Sequence, residues 1–173
     1  MIILGIDPGY AIIGYGAIYV SGVKYKPVGY GAITTESDQD FPTRLNLIYD
    51  KMLDILKACK PDAMAIEKLY FQNNQKTAIQ VAEARGVLLL AAKKVGVPIY
   101  EYTPLQVKTA VTGYGKAKKN QVMEMTKRLL NLSEVPKPDD TADALAIAIC
   151  HANVAGSDIR LKLASRTFGY KLN

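Results

Sequence analysis

The sequence has few residues of the kinds that build zinc sites, disulfide frameworks and nucleophilic triads. Its 173 residues include one histidine, His151, and two cysteines, Cys59 and Cys150. Because the cysteines lie far apart and form no C-x-x-C pair, neither a zinc ribbon nor a disulfide framework is indicated. A lone histidine is more often a packing residue than a catalytic one, and no serine or cysteine nucleophile stands beside it. These shortages fit a protein of the reducing cytoplasm.

The sequence also lacks the pattern of a targeting or membrane segment. Its first residues are apolar but have no basic region before them and reach an acid at Asp7, so we expect a buried strand there and no membrane span. Repeats, low-complexity tracts and linkers are absent as well. With 49% hydrophobic residues, the chain can bury one sizeable core. We expect one domain at residues 1–155 and a basic tail at residues 156–173.

The charge balance is basic, with 22 Lys and Arg against 16 Asp and Glu and a formal net charge of +6. This favours a polyanionic partner such as nucleic acid, although a merely basic soluble protein would explain the charge equally well. Two interpretations of the tail are open. It could follow DNA phosphates, or it could be a partly disordered end, and we favour partial disorder.

The order of the periodic segments predicts an α/β protein. Strands are expected at Ile2–Asp7, Ile12–Val20, Gly22–Thr34, Ala63–Glu67 and Val97–Tyr102, and helices at Phe41–Lys60, Thr77–Val95, Pro104–Val111, Ala117–Leu130 and Asp139–Asn153. Three consecutive strands followed by alternating helices and strands make a mixed five-stranded sheet with helices on both faces.

Acidic residues stand where these elements meet. Asp7 ends the first strand and Glu67 ends the fourth, and a carboxylate at the end of a central strand is costly to bury unless it binds a cation or a donor. Asp140 and Asp143 share one face of the last, apolar helix. Four oxygen donors without a His or Cys cluster suit a hard cation such as Mg²⁺ or Mn²⁺ and argue against zinc.

Simpler explanations exist for some of these acids. Asp7 could be a turn residue, and Asp139 or Asp140 could cap the last helix. Asp143 lies beyond a cap position, and its spacing allows either Asp139 or Asp140 to share its face. We choose Asp139 as the cap and Asp140 as the ligand.

Taken together, the motifs resemble the RuvC family of crossover (Holliday) junction endodeoxyribonucleases, over roughly Ile2 to Asn153. The segments that carry the resemblance are Gly5-Ile6-Asp7-Pro8-Gly9, Gly14-Tyr15-Gly16, Ala65-Ile66-Glu67, Ala84-Arg85-Gly86-Val87, Gln106-Val107-Lys108, Lys119-Asn120-Gln121-Val122 and Asp140-Thr141-Ala142-Asp143. Any one of these is weak alone, whereas their combination, order and spacing are specific.

The resemblance implies an RNase H-like fold and a metal-dependent nuclease. The four metal-binding carboxylates of the family correspond to Asp7, Glu67, Asp140 and Asp143, which would hold Mg²⁺, with Mn²⁺ able to substitute and two ions in each active site. A lysine near the scissile phosphate corresponds to Lys119. The family also implies a homodimer that nicks two opposing strands of a four-way junction symmetrically in recombination and repair, and a partnership with a branch-migration complex of RuvA and RuvB type proteins.

Further DNA contacts are expected around this site. The family places an aromatic ring at Tyr70, which we expect to stack on an unpaired base, while the adjacent Phe71 could share that role or pack beneath the loop. Lys76 follows in the same basic and amide-rich segment. Additional candidates for DNA binding are Lys108, which matches a basic position of the family, and Lys116 and Lys118. Without the resemblance, these lysines would be read as solvated surface residues.

Three other readings compete with this one. The Asp7-Pro8-Gly9 turn with Gly14 also resembles the phosphate-binding hairpin of actin-like kinases, but those folds need two such domains. A noncatalytic junction-binding module on the same fold is a second alternative, against which the complete acidic set weighs. RuvX-like nucleases are a third, although their chains are generally shorter and lack the matching segments.

Overall fold

The computed structural model describes the backbone of residues 1–69 and 75–168, and the side chains of residues 1–69 and 77–156. Within these residues the strands are β1 (Ile2–Asp7), β2 (Ile12–Ser21), β3 (Lys24–Thr34), β4 (Ala63–Glu67) and β5 (Ile99–Tyr102). The helices are α1 (Phe41–Cys59), α2 (Gln75–Lys94), α3 (Pro104–Thr112), α4 (Lys119–Leu129) and α5 (Asp139–Phe168).

The strands form one mixed sheet in the order β3-β2-β1-β4-β5. The first three strands pair antiparallel, and β1, β4 and β5 run parallel. The predicted mixed five-stranded sheet is therefore confirmed. Two parallel crossovers place β1 and β4 side by side in the middle of the sheet, with their carboxyl ends at the same edge.

Helices cover both faces of the sheet, as predicted. One face packs against α3, α4 and α5 in a core that includes Ile3, Ala65 and Tyr102. The other face packs against α1 and α2 in a core that includes Leu4 and Ile66. Because side chains alternate along a strand, this division fixes which face each strand-end residue occupies.

Helix α5 lies against β1 and β2 at very short range. A Cβ atom placed on Gly5 would be 2.0 Å from the carbonyl oxygen of Ala144, and one on Gly14 would be 1.9 Å from that of Asp140. Only glycine lets two backbones approach so closely. The first turns of α5 are thereby held directly against β1 and the start of β2.

The ends of several elements differ from the sequence-based expectation. Strand β5 begins at Ile99 instead of Val97, because the Val97 amide donates to the carbonyl of Ala92 at 3.0 Å and still closes the end of α2. Helix α5 continues past the expected end at Asn153 to Phe168. The backbone of the first part of the predicted tail is thus helical, and the division of the chain at residue 155 stays a prediction.

The part of α5 that packs on the sheet buries His151, the histidine expected to be a packing residue, together with Cys150. Cys150 is fully buried and His151 is 4% exposed. The His151 Nδ1 atom shares a hydrogen bond of 2.7 Å with the Tyr102 hydroxyl. In the part of the chain that the structure describes, no helix is both long enough and apolar enough to cross a membrane.

Candidate active site

Two neighbouring strands deliver the first two carboxylates of the site. In the parallel pair formed by β1 and β4, Ile6 lies opposite Ile66, so the next residues, Asp7 and Glu67, end adjacent strands at the same edge. Each lies two residues after a residue that faces α5, and alternate residues of a strand face the same side. Gly5 contacts that helix, and Ala65 belongs to the core that the helix helps to form. The side chains of Asp7 and Glu67 therefore point to the α5 face of the sheet.

Helix α5 supplies the remaining acids. Asp139 and Asp140 lie in its first turn, where the positive end of the helix dipole favours carboxylates. Asp143 follows one turn later. Because Gly14 is the strand partner of Asp7 and also the point where Asp140 touches the sheet, the start of α5 is placed beside Asp7.

A cavity of about 200 Å³ joins these elements. It is lined by three carboxylates, from Asp7, Glu67 and Asp143, and by two lysines, Lys108 of α3 and Lys119 of α4. The rest of its wall is apolar and is formed by Pro104, Val107, Val122 and Ile147. Charged groups on an apolar, partly enclosed wall interact more strongly than they would in water.

The carboxylates of this cavity hold protons more tightly than free carboxylates do. Burial raises the pKa of Asp7 well above its ordinary value, and repulsion from Glu67, Asp143 and Asp140 raises it further, while Lys119 opposes the shift. Burial followed by repulsion from Asp143 raises the pKa of Glu67 to about 7. Burial also raises the pKa of Asp143 against the hydrogen bond from Lys119. In the absence of a cation, the cavity therefore disfavours the charged form of each of these acids.

Lys119 is the cation in closest contact with the acids. Its Nζ lies 3.0 Å from an Asp143 oxygen and 3.7 Å from an Asp139 oxygen. Burial alone would lower the pKa of Lys119, but the hydrogen bond that it donates to Asp143 and the attraction of Asp143, Asp139 and Asp140 raise it overall. Lys119 therefore stays charged and faces the carboxylates from α4.

Asp139 and Asp140 are in different surroundings. Asp139, predicted as the helix cap, is the first residue of α5, and its carboxylate accepts a hydrogen bond of 2.7 Å from Lys137 Nζ. That hydrogen bond lowers the pKa of Asp139. Asp140 instead acts on the pKa of Asp7 through its charge. Neither acid is among the residues that line the cavity, and the charges of both raise the pKa of Asp143. They differ in that Asp139 belongs to an exposed ion pair with Lys137, whereas Asp140 also acts on Asp7.

The donor set of the cavity fits a divalent cation. It consists of carboxylate oxygens, the ligands that Mg²⁺ and Mn²⁺ prefer, and burial leaves those oxygens without enough positive charge. Among the described residues, however, no three His, Cys, Asp or Glu side chains are arranged so that one ion could be held by all of them. Asp143 contacts Lys119 instead, so cation binding requires the carboxylates to draw closer together.

The other predicted DNA contacts fall into two groups. Lys116 and Lys118 are exposed just before α4, on the segment that leads to Lys119. Tyr70 and Phe71 lie outside the described residues, as does the side chain of Lys76. Their expected roles therefore stay predictions.

Sequence reasoning missed the role of the strand glycines. In the sequence, Gly14 is only part of the family motif and of the alternative phosphate-binding hairpin, whereas in the structure it is the contact through which α5 packs on the sheet. The signal was present, because a glycine inside a strand often marks the close approach of another backbone.

Comparisons with known proteins find relatives that cover most of the chain. The sequence model of the family described as "Crossover junction endodeoxyribonuclease RuvC" matches residues 3–151. A curated relative of that name from Halothermothrix orenii is 57% identical over 153 residues, which cover 88% of this chain and 93% of the relative.

Solved structures are similar in fold as well. The Thermus thermophilus RuvC structure has a TM-score of 0.86 and 37% identity, covering 91% of this chain and 97% of that one. The T. thermophilus RuvC chain in complex with Holliday junction substrate has a TM-score of 0.82 and 35% identity, covering 90% of this chain and 95% of that one. These similarities confirm the expected RNase H-like fold.

Proposed function

This chain belongs to the RuvC family of crossover junction endodeoxyribonucleases, and from that premise we propose that it is a Holliday junction resolvase that cuts four-way DNA junctions. The observation that carries the proposal is the convergence of Asp7, Glu67 and Asp143 on one cavity beside Lys119. A similar T. thermophilus chain binds Holliday junction substrate in its solved structure.

We further propose that the enzyme depends on Mg²⁺, with Mn²⁺ able to substitute, and uses two ions in each active site. Asp7, Glu67, Asp140 and Asp143 would hold them. When bound, such ions supply an activated water and stabilise the charge that develops on the leaving oxygen. The burial of Asp7, Glu67 and Asp143 and the repulsion among them support this assignment, because cation binding relieves that repulsion.

The chain itself contributes binding and orientation. Lys119 stands at the mouth of the acidic cavity with 55% of its side chain exposed, so it can pair with a scissile phosphate while it remains close to Asp143. Lys108 lines the same cavity from α3 and can hold a neighbouring phosphate. The apolar wall limits competing water, which strengthens both contacts.

DNA would leave the cavity along the basic segment before α4. Lys116 and Lys118 are exposed there and provide phosphate contacts, which position DNA without reading its sequence. Tyr70 is proposed to stack on an unpaired base at the junction centre, with Phe71 packing beneath it and Lys76 touching the backbone.

Assembly and location complete the proposal. Two copies of the chain would form a homodimer that nicks opposing strands symmetrically, and a branch-migration complex of RuvA and RuvB type proteins would be the partner. Cys59 and Cys150 are both free cysteines, which fits the proposed cytoplasmic location.

The test is cleavage of a synthetic four-way junction in Mg²⁺ by the wild type and by Asp7→Asn. The wild type should release paired nicks, whereas Asp7→Asn should bind the junction but cut it at least roughly a hundredfold more slowly, since it removes one of the converging charges. Asp54→Asn, at an exposed position on α1, is the matched control and should cut normally.

Two results would overturn the proposal. One is a wild type that binds junctions and cuts none in Mg²⁺ or Mn²⁺, which would make the protein a binding module. The other is cleavage by Asp7→Asn at the wild-type rate.

A further inference from the structure

The carbonyl group of Glu67 has an unusual partner. Arg85, on α2, donates a hydrogen bond from Nε to the Glu67 backbone oxygen at 3.2 Å. Another guanidinium nitrogen of Arg85 lies 3.3 Å from the Glu101 carboxylate on β5. The Arg85 side chain is only 15% exposed. A charged side chain in such a position is expensive to bury unless both contacts are made.

The hydrogen bond between Arg85 and Glu67 lies where the pairing of β4 with its neighbouring strands ends. The last backbone bond beyond the ladder between β4 and β5 runs from the Lys68 amide to the Tyr102 carbonyl at 2.8 Å. The Glu67 carbonyl belongs to the same peptide unit as the Lys68 amide, and it accepts the hydrogen bond from Arg85. The peptide that carries the Glu67 side chain into the cavity is therefore held from both sides.

Arg85 reaches this peptide from the face of the sheet opposite the cavity. Ile66 and its strand partner Glu101 lie on the α2 side, whereas Glu67 points to the α5 side. Arg85 can therefore set the direction of the Glu67 backbone without entering the cavity. A charge-assisted hydrogen bond to a carbonyl resists rotation of that peptide more strongly than a neutral one does.

We propose that Arg85 is a positioning residue for catalysis, which holds Glu67 in the orientation that its role in the cavity requires, and that Glu101 orients Arg85. This inference rests on the proposed function, since it assigns Glu67 to cation binding. Partners that orient a ligand from behind typically alter metal affinity or activity by roughly 10–100-fold when they are removed.

The experiment compares Arg85→Gln, Arg85→Lys and Glu101→Gln with the wild type. The matched control is Arg128→Gln, which removes the same charge from an exposed position in the last turn of α4. Four quantities are measured for each protein: the melting temperature, the junction Kd without divalent ions, the calorimetric Kd for Mg²⁺, and the single-turnover cleavage rate at saturating junction.

Arg85→Gln should weaken Mg²⁺ binding and slow cleavage by roughly tenfold each, because the Glu67 peptide is then held on one side only, by the Lys68 amide. Its junction Kd should stay within about twofold of that of Arg128→Gln, since the substitution touches no DNA contact. Arg85→Lys keeps the charge and should recover part of the loss. Glu101→Gln should show a smaller loss of the same kind, and it decides the question if Arg85→Gln does not fold.

Several outcomes would overturn the assignment. These are Mg²⁺ binding and cleavage of folded Arg85→Gln equal to those of Arg128→Gln, a junction Kd that weakens as much as cleavage slows, or a fall in melting temperature with no change in Mg²⁺ binding. The Mg²⁺ titration does not depend on cleavage. If the wild type cut no junction, the proposed function would fail, while the titration would still decide whether Arg85 positions Glu67.

Discussion

Replacing Gly14 with alanine should disable the active site without touching any of its charged groups. The added Cβ would lie 1.9 Å from the carbonyl oxygen of Asp140, where ordinary contact begins at 3.4 Å. The difference of about 1.5 Å has to be absorbed by the backbones of β2 and α5, because neither contacting atom belongs to a flexible side chain.

The size of the effect follows from that displacement. Overpacking of this kind costs about 1–3 kcal/mol of folding free energy. Its effect on catalysis should be larger, since α5 carries Asp140 and Asp143 and a misplacement of about 1 Å can cost roughly a hundredfold in rate. We therefore expect Gly14→Ala to fold, to melt at a lower temperature, and to cut junctions roughly a hundredfold more slowly.

The matched control is Gly29→Ala on β3, the strand at the edge of the sheet. A Cβ at Gly29 meets no atom within 4 Å, so this variant should be as stable as the wild type or slightly more stable. Single-turnover cleavage of a four-way junction should be measured well below both melting temperatures, together with junction binding in the absence of divalent ions. Binding should be similar in both variants.

The reasoning would be refuted if folded Gly14→Ala cut within about threefold of the wild-type rate. It would also be refuted if Gly29→Ala lost as much activity as Gly14→Ala, because the loss would then reflect strand glycines in general and not the contact with α5.

Two further predictions follow from the charges of the cavity. The pKa of Glu67 is raised from its ordinary value of 4.5 to about 7. Between these two pH values the folded, metal-free protein therefore binds more protons than the unfolded chain does. Its unfolding free energy should fall by up to roughly 3 kcal/mol as the pH rises through this window. Denaturant unfolding at pH 5 and pH 8 measures this fall, which Glu67→Gln should reduce, and a flat profile would contradict the assigned burial. Asp140→Asn should slow junction cleavage at least roughly tenfold, whereas Asp139→Asn, in an exposed ion pair with Lys137, should stay within about threefold of the wild type; equal losses in the two variants would contradict the choice between them.

The sheet and its helices were accessible to sequence reasoning because each element carries a strong local pattern. β1 is an apolar run ended by Asp7 and a turn, and α1 ends at Cys59, with Lys60 as its C-cap directly before Pro61. The misplaced start of β5 is different in kind. Val97 is apolar and precedes a strand, but its amide completes the end of α2, and which partner an amide chooses depends on contacts that a local pattern does not contain.

Some features of the site could likewise be predicted from local sequence patterns, and others could not. The carboxylates of Asp7 and Glu67, at the ends of β1 and β4, could be expected to meet if these strands were neighbours, since parallel strands end at one edge of the sheet. The pairing of Lys119 with Asp143 and the reach of Arg85 to Glu67 could not be expected, because each joins elements that are distant in sequence through side-chain geometry. The different surroundings of Asp139 and Asp140 likewise depend on Lys137, because its side chain pairs with Asp139 only in the folded backbone conformation.

The contacts around the cavity show why its acids can tolerate burial. Asp7 and Glu67 are placed by strand register, and register cannot slip without turning apolar side chains to the wrong face. The start of α5 is placed by its backbone contact with Gly14. Repulsion among the carboxylates therefore cannot move the strands or the start of α5 apart unless the packing of the core is disrupted. Because burial and repulsion raise the pKa values of Asp7, Glu67 and Asp143, a cation that binds there displaces protons and relieves the repulsion, and its binding should strengthen as the pH rises.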